Sequence, residues 1–273
     1  MGKALIIDIS KCNGCYNCQI ACKDEHVGND WTPYAKPQPD TGQFWMKVTD
    51  MVRGTVPKVK MAYWHDICQH CDDAPCMKAC RQGAIYKRED GIVIINPEKC
   101  VGNRNCVDAC PYGVIYFNGD LNISQKCTFC AHLLDRGWKE PRCVEACPTE
   151  ALRFGEESEL KEYIRQGVVL HPEYKAKPRV YYIAIPKRFI AGAVWDPAED
   201  ECTEGAVVTL TEPGKAKKLT VKTDRFGDFW FEGLEVGKYT LLIEKAGYKS
   251  HKIEGISTEK DVNLGDIELH KGK

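Results

Sequence analysis

Four groups of cysteine carry whatever chemistry this chain performs. "CNGCYNCQIAC" sets Cys12, Cys15, Cys18 and Cys22 at the spacing C-x2-C-x2-C-x3-C. Three thiolates on so tight a loop grip three corners of one iron-sulfur cubane, and the fourth, a helical turn further on, reaches a neighbouring cluster. Successive backbone N–H groups of such a loop point at the sulfides and offset the cluster's negative charge. "CQHCDDAPCMKAC" repeats the run as Cys68, Cys71, Cys76 and Cys80, with its middle gap grown to four residues. "CVGNRNCVDACPYG" holds Cys100, Cys106, Cys110 and Pro111, and Asn103 stands where the second cysteine belongs. "CTFCAHLLDRGWKEPRCVEACP" holds Cys127, Cys130, Cys143 and Cys147, with twelve residues between its second and third cysteines.

Of the 16 cysteines, only Cys202 lies beyond Cys147. Such density has three common causes: secreted disulfides, zinc, or iron-sulfur clusters. A chain of 273 residues buries a core without staples, so small size does not call for disulfides. The opening "MGKALIIDISKC" does not read as a signal peptide, and Ile6 stands where a myristoylation signal wants Ser or Thr. A cytoplasmic, reducing setting is the expectation, and disulfide frameworks are rare there. No window reaches the roughly 18 apolar residues of a membrane span. The formal charge of -1, from 38 basic and 39 acidic residues, gives no sign of a nucleic-acid partner. Structural zinc pairs two C-x2-C knuckles and needs four ligands per ion. That reading leaves the later members of each run, and the prolines after Cys110 and Cys147, without purpose.

The runs form an internal repeat whose flanks show what must position them. "IDISKC" before Cys12 matches "INPEKC" before Cys100, and "ACRQGAIY", "ACPYGVIYF" and "ACPTEALRF" align after the last cysteines of runs two, three and four. Those tails read as short strands leaving a cluster loop through a turn at Gly or Pro. Gly14 and Gly102 suit a backbone that approaches the cluster closely. Each unit reads as half of a ferredoxin.

Together the four runs resemble the iron-sulfur subunits that accompany molybdenum or tungsten bis-pterin oxidoreductases of the dimethyl-sulfoxide-reductase type, over roughly residues 1–185. In that family the first run pairs with the fourth and the second with the third. The resemblance implies three 4Fe-4S clusters: one on Cys12, Cys15, Cys18 and Cys147, one on Cys127, Cys130, Cys143 and Cys22, and one on Cys68, Cys71, Cys76 and Cys110. A fourth site would take Cys80, Cys100 and Cys106 and lacks its remaining ligand at Asn103. Arg81 also follows Cys80 where the family has proline, so both halves of that site depart from the pattern. An empty fourth site is expected, with a 3Fe-4S cluster or a non-cysteine ligand such as Asn103 as the other outcomes. The resemblance further implies an electron-transfer role, no catalysis by this chain alone, and a large catalytic partner that holds the molybdopterin, in a heterodimer or higher assembly. The competing readings are a zinc-stapled interaction module and a polyferredoxin without a catalytic partner.

Other residues near the runs leave alternatives open. His65, His70 and His132 read as neighbours of the ligands or as surface groups, because histidine rarely ligates a cluster outside Rieske centres. Lys23, Lys126, Arg136 and Arg142 either tune cluster potential through their charge or form a solvated face. The Pro- and aromatic-rich stretch between runs one and two, with Trp31, Tyr34, Phe44, Trp45, Tyr63 and Trp64, offers area to bury on its own domain or on a partner.

From about Phe189 the character changes to short alternating runs such as "GAVVTLTE" and "GKYTLLIEKAGY", separated by "EPGK", "DRFGD" and "EVGK". These read as six or seven antiparallel strands, with Tyr239, Leu241 and Ile243 facing a core and Thr240 and Glu244 outward. The stretch resembles carboxypeptidase-regulatory-like and collagen-adhesin B-type Ig-like domains, which carry no catalytic set. The expected architecture is α+β: a tandem ferredoxin-like iron-sulfur domain, residues 1–188, followed by an all-β Ig-like sandwich or barrel, residues 189–273.

Overall fold

The computed structural model describes residues 2–214 and 218–272. The chain divides into two compact units. The first takes the residues up to Met51 and Ala62–Ile185; the second takes Val52–Met61 and the chain from Pro186 onward.

The first unit is organised around β1 (Lys3–Asp8). Its run "ALII" is apolar on both faces because the strand is central and covered on both sides: Leu5 and Ile7 enter the main core, and Ala4 and Ile6 pack with Leu160. After β1 come α1 (Asn17–His26), β2 (Met46–Thr55), β3 (Lys58–Ile67), α2 (Pro75–Ala79), β4 (Ile85–Lys87) and β5 (Val93–Ile95). Then follow α3 (Asn105–Ala109), β6 (Tyr116–Asn118), β7 (Ile123–Gln125), α4 (Ala131–Leu134), α5 (Arg142–Glu145), β8 (Leu152–Glu156), α6 (Lys161–Gln166) and β9 (Val180–Ile183). β1 pairs antiparallel with β8 and parallel with β9, while β4-β5 and β6-β7 are separate two-stranded ribbons.

Each C-x3-C step is built on a short helix. Cys18 and Cys22 lie on α1, Cys76 and Cys106 lie on α2 and α3 with Cys80 and Cys110 at their C-caps, and Cys143 lies on α5 just before Cys147. Pro75 opens α2 and Pro141 precedes α5, where a missing N–H is harmless. A tight turn then closes the run. The N–H of Gly83 donates to Cys80 O and that of Gly113 to Cys110 O, each at 3.1 Å, with both glycines at positive φ. The strands expected after runs two, three and four are β4, β6 and β8. Four- and five-residue helices do not persist alone, so their stability comes from what they pack against. α1 packs on α5, and α2 packs on α3.

The second unit is a sandwich, and its strands are β10 (Arg188–Asp196), β11 (Glu201–Cys202), β12 (Val207–Thr211), β13 (Lys218–Lys222), β14 (Asp228–Leu234), β15 (Lys238–Glu244), β16 (His251–Ser257) and β17 (Val262–Glu268). One sheet has β10 flanked by β14 and β17, with β11 pairing at its end; the other runs β13-β12-β15-β16. Tyr239, Leu241 and Ile243 face the core with Val208, Leu210, Phe229 and Phe231, as the alternation predicts. One expectation needs correcting. The strands are not all antiparallel, because β17 returns alongside β10 in parallel. Alternation reports which face is buried and is silent on strand direction.

β2 and β3 form a hairpin whose outer part, Val52–Met61, belongs to the second unit. There the Arg53 guanidinium donates to both carboxylate oxygens of Asp261, at 3.0 Å from Nε and 2.7 Å from Nη2, and the Phe189 N–H donates to the same carboxylate at 3.0 Å. The Arg53 side chain is 12% exposed and that of Asp261 6%. Removing one partner of such a pair leaves the other charge buried. Asp261→Ala is therefore expected to destabilise this unit by about 3–5 kcal/mol in a denaturant titration, while a change within about 0.5 kcal/mol would mark the pair as effectively solvated.

Candidate iron-sulfur cluster sites

The helix pairs bring the cysteines together in four sets. Burial pushes the Cys18 thiol up to about 12, and the neighbouring Cys12, Cys147 and Cys15 push the same way. Cys12 is raised by burial and then by Cys147 and Cys15, while the Gly14 N–H bonding to its sulfur pulls it down. Runs one and four thus meet at Cys12, Cys15, Cys18 and Cys147. The second set lies in the core. Burial raises Cys143 far above its ordinary value, and Cys130, Cys22, Cys127 and, least, Cys18 push the same way. Cys22 is pushed up to about 11 by burial, opposed by the Met46 N–H.

In the third set burial pushes Cys71 up, and Cys68, Cys76 and Cys110 add to it. A cavity opens between these four thiols, walled also by Gln69, His70, Val93 and Tyr112. In the fourth, Cys106 is raised chiefly by burial and less by Cys100 and Cys80. The Ser124 N–H donates to Cys100 Sγ at 3.4 Å. The remaining position is occupied otherwise: Asn103 is exposed, its amide donates to Gln82 Oε1 at 2.8 Å, and its carbonyl accepts the Asn105 N–H at 3.3 Å.

Do these sets fit clusters? Backbone N–H groups donate to two of the sulfurs, Phe129 N–H to Cys127 and Ser124 N–H to Cys100, each at 3.4 Å. A neutral thiol is a poor acceptor, so such donors suit sulfur that carries negative charge. Among the described residues no three Cys, His, Asp or Glu side chains close on one point as a single ion requires. Zinc needs four donors at roughly 2.0–2.3 Å from one centre. Thiols ringed around a space, as in the third set, suit a multi-atom cluster instead.

The histidines are buried rather than on the surface. His65 Nε2 lies 3.7 Å from Cys12 Sγ, and burial lowers its ring pKa to about 4. His26 Nε2 lies 3.9 Å from Cys130 Sγ, and burial holds that ring at about 3. His70 Nδ1 accepts the Val93 N–H at 3.1 Å, which puts the proton on Nε2, an atom with no partner among the described residues. His132 stacks on Trp31 and bonds to Glu25 at 2.9 Å, so it serves packing. Sequence reasoning missed His26, although it sits four residues after Cys22 on α1 and so shares its face. Among the basic residues, Lys23 donates to the Pro39 and Gly42 carbonyls, Arg136 lies over Trp31, and Arg142 pairs with Glu145 and Glu25. Lys126 alone of these is buried. The aromatics of the long insertion pack on the chain's own unit: Trp31 on His132 and Trp45 on His26.

Comparison with known proteins bears on these sites. The 4Fe-4S dicluster domain family matches residues 59–157, and the carboxypeptidase regulatory-like domain family matches residues 190–270. Over 97% of this chain and 98% of the other, the chain is 40% identical to the pyrogallol hydroxytransferase small subunit of Pelobacter acidigallici. It is 33% identical to the arsenate respiratory reductase iron-sulfur subunit of Shewanella sp. (strain ANA-3), over 67% of this chain and 96% of that one. It is also 33% identical to one of the chains of the anaerobic dimethyl sulfoxide reductase of Escherichia coli (strain K12), over 66% and 95%. The match to the first of these runs on through the C-terminal domain of this chain. With its four thiol sets and its match along nearly the whole length of a known small subunit, the chain belongs to the family of electron-transfer iron-sulfur subunits of dimethyl-sulfoxide-reductase-type molybdenum oxidoreductases.

Proposed function

We propose that the chain is the non-catalytic, electron-carrying subunit of a cytoplasmic complex that converts pyrogallol to phloroglucinol, bound to a large molybdopterin-containing catalytic chain. The observation that carries this reading is the match along nearly the whole length of a pyrogallol hydroxytransferase small subunit, C-terminal domain of this chain included. A bound 4Fe-4S cluster takes up and releases one electron at a time. The chain's own part is to hold each cluster, exclude water and set its potential. Ligands in this proposal are Cys12, Cys15, Cys18 and Cys147 for one cluster, Cys22, Cys127, Cys130 and Cys143 for the second, and Cys68, Cys71, Cys76 and Cys110 for the third. The helix packing of α1 on α5 and α2 on α3 supports this nesting, and with it the tandem ferredoxin-like arrangement of the runs.

The site at Cys80, Cys100 and Cys106 is proposed to be empty. Support comes from Asn103, whose amide is engaged by Gln82 and the start of α3 rather than free to ligate. A transhydroxylation has no net redox change, so a full chain of clusters out of the complex is unnecessary.

Anaerobic purification of the native complex tests the proposal. A larger, molybdenum-containing chain should arrive bound in fixed ratio, and conversion of pyrogallol should require both chains. A chain that arrives alone with its iron intact would instead be a polyferredoxin.

His65 gives a narrower prediction. An N–H donor to a ligating sulfur raises the cluster potential, because it stabilises the extra charge of the reduced state. His65→Phe is expected to lower the potential of the cluster at Cys12 alone, read by EPR-monitored redox titration, with iron content unchanged. An unmoved potential would show that the 3.7 Å contact carries no hydrogen bond.

A further inference from the structure

Lys126 is 2% exposed, and its ammonium donates only to carbonyls among the described residues: that of Val93 and, at 3.0 Å, that of Cys127. A buried cation without an anionic partner is strongly unfavourable, and proteins keep one only where a counter-charge exists. No carboxylate is within ion-pair distance of it among the described residues. Its two contacts set it between two of the cysteine sets. On one side it donates to the backbone carbonyl of Cys127, a member of the second set. On the other it holds the carbonyl of Val93, whose N–H fixes His70 and whose side chain walls the cavity between Cys68, Cys71, Cys76 and Cys110. Its charge reaches that set, since it opposes the burial that raises Cys76.

We propose that Lys126 is the buried counter-charge shared by the second and third clusters and holds both of their potentials up. The inference rests on the ligand sets proposed above. Four thiolates leave a clustered site with net negative charge, and reduction adds one more, so a fixed cation between two such sites favours the reduced state of each. Its sequence position, immediately before a ligand, places it where one side chain can serve both sets. The first set, at Cys12, Cys15, Cys18 and Cys147, contributes no contact to Lys126 and should feel it least.

The test uses the complex purified anaerobically with Lys126→Met or Lys126→Arg, counting iron and sulfide before an EPR-monitored redox titration. Lys126→Met is expected to keep its iron and to shift two potentials downward, those lost in Cys22→Ala and Cys71→Ala variants, with the third in place. Lys126→Arg should hold all three near the parent values. Unchanged potentials in Lys126→Met, or an equal shift of all three, would overturn the inference. If Lys126→Met loses iron from both sites and Lys126→Arg retains it, the charge itself is required and the inference stands. If both variants lose iron, Lys126 is a packing element and the inference fails. Failure of the ligand sets themselves would show separately, as Cys22→Ala and Cys71→Ala variants that do not each lack one cluster.

Discussion

Cys22→Ala and Cys143→Ala are expected to lose the same cluster, about four irons per chain each, although the two cysteines are 121 positions apart and in different runs. Cys18→Ala, four residues from Cys22 in the same helix, should lose a different one. The reason is geometric: α1 carries Cys18 and Cys22 into two sets, and its packing on α5 brings Cys22 beside Cys130 and Cys143. The effect should be large, because the second set is buried and its lost ligand position is poorly open to solvent. Iron and sulfide analysis with EPR of each reduced variant reads the result. If Cys18→Ala and Cys22→Ala lacked one and the same signal, each run would bind its own cluster and the nested arrangement would be wrong.

Removing the iron should unfold one unit and spare the other. The main core of the first unit counts Cys18, Cys22, Cys68, Cys127 and Cys143 among its buried residues, and the helices joined to them are too short to stand alone. Without clusters these thiols surround space rather than atoms, and lost contacts of that kind are strongly destabilising. The second unit has a core without a single cysteine, built on Val208, Phe229, Leu241 and Ile243. Treatment with a chelator under reducing conditions is therefore expected to abolish hydrogen-exchange protection in β1 and α1 while β10, β12 and β15 keep theirs. Protection that persists in β1 after iron removal would show a first unit that folds without its cofactor. Because burial raises the thiols, and a ligand must be deprotonated, cluster loading should also weaken as pH falls.

Much of the site was legible because cluster chemistry constrains spacing in the chain. A C-x3-C step wants a helix and a turn after it, and α2, α3 and α5 follow that demand in runs of different length. The apolar tails were readable as β4, β6 and β8 for the same reason, since each leaves the turn toward a core. Period-two alternation likewise placed Tyr239, Leu241 and Ile243 inward. What stayed hidden depends on contacts distant in sequence. Lys126 looks like any lysine on a polar stretch, and only the strand carrying Val93 shows that it is enclosed. His26 lies outside every cysteine run, so only its i+4 spacing to Cys22 points toward the second set, and the helix packing brings it to Cys130. Val52–Met61 reads as part of one insertion, yet Arg53 finds its partner at Asp261, more than two hundred residues later.

Three nested sets are proposed to hold 4Fe-4S clusters, and the fourth, broken at Asn103, to hold none. The most direct test is iron and acid-labile sulfide per chain in the anaerobically purified complex, corrected for iron in the partner, with an EPR spectrum as isolated. About twelve irons and no 3Fe-4S signal is the predicted result. About fifteen or sixteen irons would contradict it, with a 3Fe-4S signal showing a trimmed cluster on Cys80, Cys100 and Cys106 and its absence showing a cluster completed by another ligand.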